Sequence, residues 1–91
     1  MSNKRWEHNG DKHILYFTPF YEEEKIAEIF YDEFDGAWYM GEGIWPYCAQ
    51  PLFAYTLEDA KENAENNIAK YYTDQRNYYQ ELYDKFVEET L

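Results

Sequence analysis

Thr56-Leu57-Glu58-Asp59-Ala60-Lys61-Glu62-Asn63-Ala64 opens the longest regular pattern in the chain. The Thr56 hydroxyl can accept a hydrogen bond from a free backbone N–H of a first helical turn. Asp59 stands where a capping box carries its returning acid, although Glu or Gln is usual there. Beyond it apolar residues recur at helical spacing: Leu57, Ala60, Ala64, Ile68, Tyr71, Tyr78 or Tyr79, Leu82 and Phe86, with Gln75 as the break. At about 100° per residue they share one side of a helix. Glu58, Asp59, Glu62, Glu65, Asp74, Glu81, Asp84 and Glu88 take the other side. Neither Pro nor Gly follows Pro51, so the pattern predicts a helix over 57–88.

Such a helix is about 45 Å long, whereas a compact domain of this chain length is about 30 Å across. It therefore either kinks, near 73–77 where apolar residues thin out, or overhangs. An overhang would carry Tyr78, Tyr79, Leu82, Tyr83 and Phe86. Those are the candidate residues for self-association, and a homodimer is one expectation.

Working back from the helix, Leu52–Tyr55 reads as a short strand or extended lead-in. Gly41 to Pro51, with Gly41, Gly43, Pro46 and Pro51, reads as a loop. Trp45 and Tyr47 in that loop either plug the end of the core or stand exposed as anchors, the plug being preferred. Residues 19–35 admit two readings. Thr18-Pro19 before Glu22-Glu23-Glu24 could start a helix lined by Ile26, Phe30 and Phe34. The alternative makes Lys25–Glu33 a strand with Ala27, Ile29 and Tyr31 inward, turned at Asp35-Gly36 into a second strand, Ala37–Met40. The strands are preferred, because a lone amphipathic helix needs a broad apolar surface to cover it. At the start, Asn9-Gly10 predicts a two-residue turn between strands 4–8 and 11–18. The expected fold is α+β: one domain over 1–91, with an antiparallel meander of three or four strands on one long C-terminal helix.

Composition narrows function. The net charge is −11, and aromatics make up 22% of the 91 residues, with eleven Tyr. So many aromatics argue against disorder. Tyrosine also supplies rigid contact area with a hydrogen-bonding tip, as interfaces use it. Strong negative charge disfavours direct contact with nucleic acid or an anionic membrane and favours a basic partner; solubility alone is the plainer explanation. The single cysteine, Cys48, leaves no intramolecular disulfide, and no run is long and apolar enough to span a bilayer. The chain reads as cytoplasmic. Its acids concentrate in residues 21–43, where Glu22, Glu23, Glu24, Glu28, Asp32, Glu33, Asp35 and Glu42 face Lys25 alone. On the helix, by contrast, bases lie three or four residues from acids, as on a solvated face. The 21–43 acids, with Trp45 and Tyr47, form the candidate partner-binding set.

Catalytic patterns are missing from the sequence. It has no phosphate-binding glycine motif, and its one serine is Ser2. Cys48 with His8 or His13 has no spacing that suggests a catalytic pair, and one Cys with two His falls short of a structural zinc site. Asp32-Glu33-Phe34-Asp35-Gly36 lacks the ligand alternation of a calcium loop. No cofactor and no metal is expected, and the chain reads as a binder rather than an enzyme.

Glu28-Ile29-Phe30-Tyr31-Asp32, then Gly36-Ala37-Trp38-Tyr39, then Thr56-Leu57-Glu58-Asp59-Ala60, resembles the β-β-β-α half of HicB-type antitoxins. The likeness covers about forty residues. It lacks that family's proline-containing strand end and its DNA-binding tail, so what it implies is topology. A short, acidic, Tyr-rich chain is also similar in character to phage-encoded inhibitors that imitate nucleic acid. The leading expectation is therefore a non-catalytic inhibitor of a basic, nucleic-acid-handling protein, of the anti-restriction or anti-CRISPR kind. The alternatives are a small assembly protein self-associating through its helix, or an antitoxin-like protein.

Overall fold

The strands are the alternative that folding selects. The computed structural model describes residues 3–43 and 50–90. In it β1 (Lys4–Asn9), β2 (Lys12–Phe17), β3 (Glu24–Asp32), β4 (Ala37–Gly43) and β5 (Gln50–Pro51) form one antiparallel sheet in chain order, followed by α1 (Leu57–Thr90). The class is α+β. The sheet has five strands, one more than expected, because Gln50 and Pro51 pair with Met40 and Tyr39. β4 also runs on through Gly41 to Gly43, where a loop was expected. Gly41 lies against the Phe30 ring, and a Cβ there would come within 3.4 Å of it. The glycine thus serves close approach inside a strand rather than a turn.

Turn chemistry sets the register. Asn9 pairs with Lys12, so the central turn residues are Gly10 and Asp11, one position later than the Asn9-Gly10 reading. Gly10 has φ of 66° and Asp11 is not at positive φ, the arrangement of a II′ rather than a I′ turn. Between β3 and β4 the Asp32 carboxylate accepts the N–H of Phe34 at 2.8 Å and of Asp35 at 3.3 Å. The Gly36 N–H reaches the Asp32 carbonyl at 2.8 Å, with Gly36 at φ 64°.

The helix covers one sheet face. Leu15, Ile26, Ala27, Ile29 and Met40 are buried beneath Ala60, Ala64 and Ile68, with Leu52 and Ala54 at the side. Simple alternation would send Ile26 to the face opposite Ala27 and Ile29. Instead the β2–β3 register shifts, with Leu15 opposite Ala27 and Tyr16 opposite Lys25, so Ile26 is the extra residue of a bulge and is buried too. Tyr31, expected inward, remains exposed at the margin, tilted on Trp38 at 5.5 Å.

Thr56 caps the helix as its sequence suggests: its Oγ1 accepts the Asp59 N–H at 3.1 Å. Asn63 then donates to the Leu52 carbonyl at 2.7 Å, fixing the lead-in against the first turns. Of the two outcomes foreseen for its length, α1 overhangs. It is one unbroken helix, buried at Ala60, Ala64 and Ile68 and exposed at nearly every position from Tyr72 to Glu89. The radius of gyration is 16.3 Å, against about 12 Å for a compact chain of this length, and the longest dimension is 57 Å. Even so, among the described residues no helix is long and apolar enough to cross a membrane.

Candidate interaction surfaces

The sheet face away from the helix carries alternate residues of β1 to β4, and its charges are largely answered there. Arg5 spans three partners. It donates twice to Glu23, from Nε and Nη2 at 2.7 Å each, donates to Glu7 at 3.2 Å, and lies 4.4 Å over the Tyr16 ring. This fork holds the Glu23 carboxyl below its usual range and the Arg5 guanidinium above its own. Glu28 is only 6% exposed, yet it sits on this uncovered face. Lys25 Nζ lies 3.3 Å from one of its oxygens and Lys12 Nζ 3.6 Å from the other, and the lysine stems help to shield it. The expectation that the 21–43 acids lack compensation is thus corrected for Glu23 and Glu28. Besides Lys25 of β3 itself, the counter-ions come from Arg5 of β1 and Lys12 of β2, which only the folded register brings alongside.

The other acids of the set divide into two groups at opposite ends of β3, about 26 Å apart for eight residue steps. At one end Glu22 and Glu24 flank the exposed Phe20 and Tyr21. At the other, Asp32, Glu33 and Asp35 surround Phe34, whose side chain is fully exposed. Asp35 also accepts the Tyr39 hydroxyl at 2.6 Å and so pushes that phenol's pKa up. Phe20 and Tyr21 were not singled out from the sequence, and Phe34 was read only as a core residue of the helical alternative. All three fall in the connections on either side of β3, where no strand turns them inward. The side chain of Glu42, with Trp45, Tyr47 and Cys48, lies outside the described residues.

No protein-family model, curated protein or solved structure matches this chain. The HicB-type likeness is accordingly confined to short motifs.

Beneath the helix the aromatic residues form a wall. His8 stacks on His13 at 4.4 Å, His13 tilts on Trp38 at 5.9 Å, and Lys61 reaches over Trp6 at 5.7 Å. Burial, His8 and Lys61 together lower the pKa of His13. Among the described residues no group of three or more His, Cys, Asp or Glu has the geometry to hold a metal ion. A cleft of about 200 Å³ lies between sheet and helix, lined by Leu15, Phe17, Ile26, Ile68 and Tyr72, with the 2.6 Å Lys4–Glu65 ion pair at its edge. It is apolar and small, below the usual size of a ligand pocket.

The projecting half of α1 is the other surface. Tyr78 (56% exposed), Tyr79 (62%), Leu82 (44%), Tyr83 (63%) and Phe86 (73%) follow one another beyond the sheet. Tyr78 and Tyr79 meet edge to face at 5.5 Å, and Glu81 pairs with Lys85 at 3.2 Å beside the row.

Proposed function

We propose that this protein is a non-catalytic binder that docks on a basic, nucleic-acid-binding surface of another protein and blocks it. The observation that carries the reading is the net charge of −11 together with four of its carboxylates, which stand beside exposed aromatics at the two ends of β3. Glu22, Glu24, Glu33 and Asp35 have no ion-pair partner among the described residues, and each stands beside an exposed aromatic. Carboxylates spaced about 26 Å along a rigid strand can meet an elongated basic groove at two points. Phe20, Tyr21 and Phe34 supply apolar anchors at those points. An inhibitor of restriction or CRISPR nucleases is the narrower form of this proposal.

The test is affinity capture from host lysate at about 0.05 and 0.5 M salt, comparing the parent with a Glu22→Lys/Glu24→Lys/Glu33→Lys/Asp35→Lys variant. Recovery of a basic nucleic-acid-binding protein is expected, released by salt because screening shortens the reach of the attraction. At about 0.5 kcal/mol per site, the four reversals should weaken binding at least 30-fold or so. Capture that neither salt nor the variant changes would refute the reading.

A further inference from the structure

The helix face that covers the sheet is repeated, with larger side chains, on the half that leaves it. Ala60, Ala64 and Ile68 are the buried contacts. Tyr78, Leu82 and Phe86 each follow one of them by 18 residues, which at 3.6 residues per turn is five whole turns. The two trios therefore point the same way from the axis, about 27 Å apart. The first trio is sealed against β3 and β4, while the second is largely exposed to solvent, so one stripe, interrupted at Gln75, is half covered. Residue size changes along the stripe in a telling way. Alanines let the helix lie close on the pleated sheet, whereas Tyr, Leu and Phe give the projecting half large apolar contact area.

We infer that the projecting half of α1 is a dimerisation surface, and that a second copy of this chain packs on it antiparallel about a two-fold axis near residues 82 and 83. With that centre, Tyr79 of one copy lies level with Phe86 of the other, and Leu82 packs between Leu82 and Tyr83 of the second chain. Tyr79 and Phe86 lie on the same side of Leu82, at about +60° and +40° around the helix, as a two-fold contact requires. Glu81 and Lys85 lie together on the opposite flank. Their 3.2 Å pair within one chain is repeated across the axis, with each Lys85 within about one residue's rise of the other copy's Glu81. The pairing extends to the last described turn, since Thr90 of one copy falls level with Gln75 of the other. At their observed exposures, the four aromatics and Leu82 present about 550 Å² per chain. A pair would bury at most about 1,100 Å², below the range of stable specific interfaces and consistent with a weak dimer that dissociates at micromolar concentrations.

Salt separates this interface from the basic-surface reading. Two chains of −11 repel, so added salt tightens the dimer, whereas it loosens a complex with a basic partner. Sedimentation velocity from about 5 to 300 μM at about 0.05 and 0.5 M salt should show a dimer that strengthens with salt. Leu82→Glu, which brings two carboxylates together on the axis, should weaken it by about 100-fold or more while far-ultraviolet circular dichroism stays unchanged. Spin labels on an outward-facing Thr73→Cys, in a Cys48→Ser background, should lie about 35 Å apart, against about 20 Å for a parallel pair. A one-chain mass at every concentration, a dimer indifferent to both Leu82→Glu and Tyr79→Glu, or a label distance near 20 Å would each overturn the inference. Dimerisation without capture of a basic protein would remove the proposed function and leave this interface intact; the converse would do the reverse.

Discussion

Replacing Glu28 by Gln keeps the side chain's shape and removes its charge, and so separates an internal ion cluster from a binding surface. Glu28 lies 3.3 Å from the Lys25 ammonium and 3.6 Å from that of Lys12. At an effective dielectric constant of about 20 each pair attracts by about 5 kcal/mol. Most of that is offset by the loss of hydration, and the lysine side chains, 35% and 47% exposed, remain screened by water. A wholly buried pair costs about 3–5 kcal/mol to break and an exposed one less than about 1. With a buried acid and half-exposed bases, the expected loss is about 1–2 kcal/mol. Urea unfolding at a few micromolar protein, below dimer formation, should read this as a midpoint about 1–2 M lower, for a slope near 1 kcal/mol/M. The loss should shrink in about 1 M salt, where the screening length is about 3 Å. Capture of a basic partner should be unaffected, because Glu28 offers it almost no surface. An unchanged midpoint, or capture that falls as it does for the Glu22/Glu24/Glu33/Asp35 variant, would refute the reasoning.

Two further predictions concern the packed half of the helix and its aromatic wall. Ala64→Leu, at a position with no exposure, should destabilise by about 1–3 kcal/mol through overpacking against the sheet, while Tyr83→Ala on the projecting half should leave monomer stability within about 0.5 kcal/mol; denaturant midpoints decide both. Because the His13 pKa is lowered in the fold, the unfolded chain binds more protons in the window between the folded value and about 6.5, so stability should be complete above that window and fall as pH drops through it; a His13→Gln variant should lose this slope, and a parent with a flat profile there would contradict the assignment.

Local patterns carried far in this chain. Thr56 and the 3.6-residue spacing of Leu57 to Phe86 specified α1 and its inner face. The ambiguity at 19–35 resolved by packing demand, since a covered helix stripe needs a sheet. What stayed illegible depends on registers fixed by three-dimensional contact. The bulge that buries Ile26 is invisible to alternation, and the extension of β4 through Gly41 reflects the Phe30 ring beneath it. Charge was the hardest to read. The acids of 21–43 look unanswered in sequence, yet Arg5 and Lys12 reach Glu23 and Glu28 from strands 16 or 18 residues away. A segment's net charge thus says how many carboxylates exist and little about which are free. The exposure of Tyr78, Tyr79 and Leu82 was legible, because a 34-residue helix outruns a domain this small.

α1 is one helix, docked on the sheet as far as Tyr72, and the inferred dimer would cover the half beyond it. Amide hydrogen exchange along α1, measured at about 2 and 200 μM, tests it most directly, since these concentrations bracket a micromolar dissociation constant. Residues 60–72 should be protected equally at both concentrations, and residues 74–89 should gain protection only at the higher one. Equal protection of both halves at the lower concentration, or an unprotected second half at both, would contradict that arrangement.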